Sequence, residues 1–62
     1  MKTFYDVQQL LKQFGTYIYT KDKNADIELM QMELKELYDG GILSVREYQT
    51  AVLILKSNQT NK

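Results

Sequence analysis

Apolar residues recur along this chain at helical spacing in three blocks, with a short alternating stretch between the first two. In the first block Phe4, Val7, Leu10, Leu11 and Phe14 follow a three–four–three rhythm. That rhythm lines one face of a helix, while Gln8, Gln9, Lys12 and Gln13 take the other side. Thr3 stands in the N-cap position and Asp6 in the third helical position, where a carboxylate complements the helix dipole. Gly15 ends the block. Residues 16–20, Thr-Tyr-Ile-Tyr-Thr, are β-branched and aromatic in alternation, which is a strand pattern. A single strand has no partner here, so the stretch is expected to be an extended connector with Ile18 turned inward and Tyr17 and Tyr19 together on the opposite side.

The second block has the stripe Ile27, Met30, Leu34 and Leu37, with Ala25, Met32 and Tyr38 on its margins. Its helix begins at Asp22 or Asn24, both competent caps, with Asp22 preferred. Gly40 or Gly41 is expected to close it in the left-handed conformation. Ser44 then precedes Glu47 by three residues, the spacing of a capping box, and Leu43 and Tyr48 hold the staple positions around it. Val45, Tyr48, Val52 and Leu55, widened by Ala51, form the third stripe. Met32, Leu53 and Ile54 fall outside the stripes and are candidates for a second contact surface. The pattern therefore predicts helices over 4–14, 22–39 and 45–57. It predicts an all-α three-helix bundle in which helices 2 and 3 form a hairpin. The expected core is Phe4, Val7, Leu11, Phe14, Ile18, Ile27, Met30, Leu34, Leu37, Tyr48, Val52 and Leu55. Residues 1–56 are read as one domain and 57–62 as a polar tail.

Length narrows the picture. A 62-residue chain buries only about 60% of its unfolded surface, so the core is marginal. With no Cys and no His, neither disulfides nor structural zinc can reinforce it. Self-association is one remaining source of stability, and a homo-oligomer or a protein partner is expected. Nothing resembles a signal peptide. The longest apolar run, Ala51 to Leu55, is too short to span a bilayer, so no membrane association is expected and the chain is read as cytoplasmic.

The formal net charge is zero, but it is unevenly spread. Residues 1–23 carry four lysines against two aspartates. Residues 24–47 carry Lys35 and Arg46 against six acidic residues. Residues 48–62 add two lysines. This balance disfavours a duplex-DNA reader. The order helix, turn, helix fits such a module, but helix 2 is acidic and helix 3 offers DNA only Arg46, Gln49 and Lys56.

Catalysis is not expected, because the usual general base, thiol nucleophile and soft metal ligands are missing. Asp22, Asp26, Glu33 and Glu36 lack calcium-loop spacing and read as a solvated helix face, so no metal and no cofactor are expected. Gly40-Gly41 lacks the lysine and further glycines of a phosphate loop. The remaining chemistry lies in the tyrosines. Tyr17 and Tyr19 sit beside Lys21 and Lys23, with Lys12 on the preceding helix. Rings on which bases stack, next to cations that meet phosphates, are what single-stranded nucleic acid binding uses. The competing reading is that these rings cover a small core with their hydroxyls in water. Tyr38 and Tyr48, flanking the turn, fit that structural role better.

The segment from Thr3 to Lys12, TFYDVQQLLK, followed by Gly15 and by Glu33-Leu34-Lys35-Glu36-Leu37-Tyr38, resembles the YqgQ-like family of small uncharacterised bacterial proteins. The resemblance covers nearly the whole chain except the tail. It implies a compact three-helix fold, a cytosolic location and a suggested role in binding single-stranded nucleic acid. It assigns no residue to that role. Leu34 to Leu55 is also similar to the short SHOCT helical hairpin, in which a Gly-Ile-Leu-Ser/Thr turn precedes a Glu-Tyr/Phe helix. That likeness implies an interaction or oligomerisation element, the alternative to a nucleic-acid-binding role.

Overall fold

The computed structural model describes residues 1–59, and these form three helices in sequence: α1 (Phe4–Gln13), α2 (Lys23–Asp39) and α3 (Val45–Asn58). Each start is capped by the residue the sequence marks. Thr3 Oγ1 accepts the Asp6 backbone N–H at 3.2 Å, and Asp6 returns a carboxylate to the Thr3 N–H at 3.1 Å, so this start too is a full capping box. The Asp6 carboxylate also accepts the Lys2 N–H at 2.9 Å. The Lys2 N–H, followed by that of Thr3, holds its pKa below the ordinary aspartate value. Asp22 caps α2 by accepting from the backbone N–H groups of Asn24 and Ala25. Ser44 and Glu47 exchange two 3.1 Å hydrogen bonds at the start of α3. Removing one partner of this box with Ser44→Ala should cost about 1 kcal/mol, read as a lower midpoint in urea or thermal unfolding.

The ends of α1 and α2 share one device. Gly15 and Gly41 adopt φ of 82° and 77°, a conformation that costs a residue with a Cβ roughly 1–2 kcal/mol. The Thr16 N–H then reaches back to the Leu11 carbonyl and the Ile42 N–H to that of Leu37. These bonds, with those of Gly15 to Lys12 and Gly41 to Tyr38, complete two Schellman motifs. The second brings Leu43 inward as the chain leaves the turn. Leu43, in the first staple position, is buried in the core, and Tyr48, in the second, packs partly buried against that core.

The helices enclose Val7, Leu11, Ile27, Met30, Leu34, Leu37, Leu43, Ala51 and Leu55, with Phe4, Leu10, Ile18, Tyr48, Val52 and Ile54 partly buried against them. Helices α2 and α3 share the largest interface, the expected hairpin, and α1 lies against both. One residue of the expected core, Phe14, and one of the third stripe, Val45, differ. Phe14 is exposed, because it is the C-cap of α1, where the backbone has already left helical geometry ahead of the Gly15 turn. Val45 is exposed as the first residue of α3, while Leu43, two residues earlier, is buried. Ile54, expected as a surplus surface residue, packs against the core instead. Helix α3 also continues through Ser57 and Asn58, two residues of the expected polar tail. The Ser57 hydroxyl and the Asn58 amide both donate to the Ile54 carbonyl. Residues 60–62 of that tail lie outside the described residues.

Candidate nucleic-acid interface

The connector between α1 and α2 is extended and forms no strand. Its alternation nevertheless persists: Ile18 packs against the core, while Tyr17 and Tyr19 are 71% and 63% exposed. The rings thus stand out from the fold on a segment fixed at both ends. At the first end it is tied by the Schellman bonds after α1. At the second, Thr20 gives both its backbone N–H and its hydroxyl to Asp26 Oδ1, each at 2.7 Å. Asp26 is only 6% exposed and is the buried charged residue among those described. Buried carboxylates persist when their oxygens are hydrogen-bonded, and here the donors are two groups of one connector residue.

Lys21 follows immediately with φ of 72°, the one positive value among the described non-glycine residues. Such a conformation costs a non-glycine residue roughly 1–2 kcal/mol. It turns the chain between the Thr20 anchor and the Asp22 cap, and Lys21 lines the same groove as Tyr19.

The five residues singled out in the sequence fall on adjoining surfaces. Lys12 Nζ lies 5.7 Å from the centroid of the Tyr17 ring, within cation–π range. An open groove beside the connector is lined by Phe4, Gln8, Tyr19, Lys21, Lys23 and Asp26. A small hollow next to it is lined by Gln8, Leu11, Thr16, Tyr17, Ile18 and Met30. Gln8 borders both, so the Tyr17 and Tyr19 sides are continuous across α1. Lys23, at the first position of α2, is held 5.0 Å from the Phe4 ring and 3.3 Å from Asn58 Oδ1.

Three residues of this surface escaped the sequence reading: Phe4, Gln8 and Asp26. Phe4 and Gln8 are one helical turn apart, so once Phe4 is only half-buried the pair shares a face of α1. For Asp26 the signal was present in a weak form. It lies beside Ile27, one position from the apolar stripe, and it follows a threonine by six residues.

The acidic residues considered as cation ligands do not converge. Among the described residues no group of three or more His, Cys, Asp or Glu side chains is placed to hold a metal ion. Among the same residues, no helix is long and apolar enough to cross a membrane. Tyr38 and Tyr48 lie away from the connector, with ring centroids 4.7 Å apart and planes 12° from parallel, stacked on each other across the α2–α3 hairpin.

Residues 1–61 match the YqgQ-like family. A curated relative, the uncharacterised protein YqgQ of Bacillus subtilis (strain 168), is 46% identical over 56 residues, which span 90% of this chain and 79% of that protein. With a family match over nearly every residue and a relative this similar over most of both lengths, the chain belongs to the YqgQ-like family.

Proposed function

We propose that the α1–α2 connector binds single-stranded nucleic acid weakly and with little sequence preference. The observation that carries this reading is the pair of exposed rings, Tyr17 and Tyr19, on an extended, anchored segment between Lys12 on one side and Lys21 and Lys23 on the other. Successive residues of one face in an extended chain are about 7 Å apart, a spacing that lets neighbouring unstacked bases each meet a ring. Lys12, Lys21 and Lys23, beside the rings, are the groups that would meet the phosphates of such a strand. Stacking tolerates any base, because every base has a π-face. The role is binding rather than catalysis, in keeping with a chain that has no His or Cys.

Charge limits the affinity. Three lysines meet the backbone while Asp22 and Asp26 lie close by, and the whole chain is neutral. Few counterions would be released, so the logarithm of the affinity should fall with the logarithm of salt on a shallow slope of at most about 2 to 3.

Fluorescence anisotropy of labelled single-stranded oligonucleotides, at low and moderate salt, tests this. Tyr17→Ala and Tyr19→Ala should each cost about 1–3 kcal/mol of binding, roughly 5- to 150-fold in affinity. The double variant should bind barely, if at all. No binding by the unmodified protein at low salt would end the nucleic-acid reading and leave a protein-interaction module as the alternative. Equal binding by the double variant would keep the function and move the site elsewhere.

A further inference from the structure

On the side formed by α2 and α3, away from the connector, Met32 is 63% exposed in a shallow groove that it shares with Glu28, Gln31, Lys35 and Tyr48. Tyr48 also borders the neighbouring groove that carries Leu53, itself 67% exposed. The two grooves adjoin at Tyr48, with Met32 and Leu53 as exposed apolar groups on either side of it. Tyr48, shared by both grooves, is stacked on Tyr38 with ring centroids 4.7 Å apart. Exposed apolar groups grouped in this way on a small protein mark a contact surface.

The charges around Met32 indicate the occupant. Glu28 and Lys35 are seven residues apart on α2, almost two full helical turns, so they lie on one face about 10 Å from each other. Their midpoint falls between Gln31 and Met32. We propose that a second copy of this chain docks here, related by a two-fold axis through that midpoint, with the two α2 helices antiparallel. In that arrangement Glu28 meets the partner's Lys35, and Lys35 meets the partner's Glu28. Met32 packs near the axis against its own counterpart. The surface is self-complementary, as an isologous interface requires. A parallel pairing would set Glu28 against Glu28 and Lys35 against Lys35, so the same two charges select the antiparallel register. The existing Lys35–Asp39 pair does not compete strongly: at 3.5 Å, with the side chains 66% and 58% exposed, it is a weak surface contact. The contact covers about two turns of helix and one side of α3, so the dimer belongs to the weak, concentration-dependent class.

Charge exchange with the full chain tests this, read by sedimentation equilibrium from micromolar to millimolar concentration. Wild type should pass from monomer to dimer and no further. Glu28→Lys alone and Lys35→Glu alone each place two like-charge pairs across the axis, and each should raise the dissociation constant about tenfold. An equimolar mixture of the two variants pairs lysines only with glutamates, so it should recover dimer of wild-type strength at the same total charge as wild type. Both residues are exposed and are good helix formers, and circular dichroism of each variant checks that the fold is kept. A wild type that stays monomeric at millimolar concentration would overturn the proposal. So would a dimer indifferent to both single changes, or a mixture no stronger than the variants alone.

Discussion

Leu34→Ala is expected to lower the unfolding free energy by about 2–5 kcal/mol. Leu34 lies in the middle of α2, fully buried, in the core cluster that draws on all three helices. Truncation removes three carbon atoms' worth of burial and leaves a cavity that three short helices can only partly collapse around. A chain of 62 residues has a total stability of only about 3–9 kcal/mol. The variant should therefore melt far below wild type, or be partly unfolded at room temperature. The comparison is Leu53→Ala, which removes the same atoms from an exposed site on α3. Measured at low concentration, it should change stability by no more than about 0.5 kcal/mol. Equal melts for Leu34→Ala and wild type would mean that α2 faces its neighbours with a different stripe.

Asp26→Ala is expected to have the next largest effect, and its effect reaches the connector. The change deletes the acceptor of two 2.7 Å hydrogen bonds from Thr20. Hydrogen bonds to a charged group contribute about 1.5–3 kcal/mol each, and solvent can rehydrate part of Thr20, so a loss of about 2–4 kcal/mol is expected in denaturant unfolding. Asp26→Asn keeps an oxygen in the same place and should lose roughly half as much. The distinguishing readout is local. Without the anchor, amide exchange at residues 17–21 should quicken by more than global destabilisation accounts for. Nucleic-acid affinity should fall with it, although Asp26 supplies neither a stacking ring nor a positive charge. An unchanged exchange pattern in the connector would show that the Schellman end alone holds it.

Local rules made most of the backbone legible from sequence. Thr3, Asp22 and Ser44 cap as their side chains dictate, and Gly15 and Gly41 supply the two left-handed positions that end α1 and α2. Of two candidate glycines at the hairpin, only the geometry distinguishes them: Gly40 is still close to helical at φ −80°, and Gly41 carries the turn. Periodicity failed where a helix ends, because it extrapolates the 3.6-residue repeat past the cap. Phe14 and Val45 both lie at such boundaries and both point to solvent. At the candidate site the exposed tyrosines and their lysines were legible, since alternation along an extended segment needs only neighbours in sequence. The Asp26–Thr20 clasp and the left-handed Lys21 were not. The clasp joins residues six apart across the turn into α2, and the left-handed Lys21 sits inside that turn; neither has a residue type or periodic spacing that marks it out.

The most direct test of the connector as a nucleic-acid site is amide chemical-shift mapping of the uniformly labelled protein titrated with a short single-stranded oligonucleotide at low salt. Progressive shifts are expected at Lys12, at residues 16–23 and at Phe4 and Gln8, with the α2–α3 face around Met32 and Leu53 left unmoved. Shifts centred on that face, or no shift anywhere at millimolar oligonucleotide, would contradict a connector site.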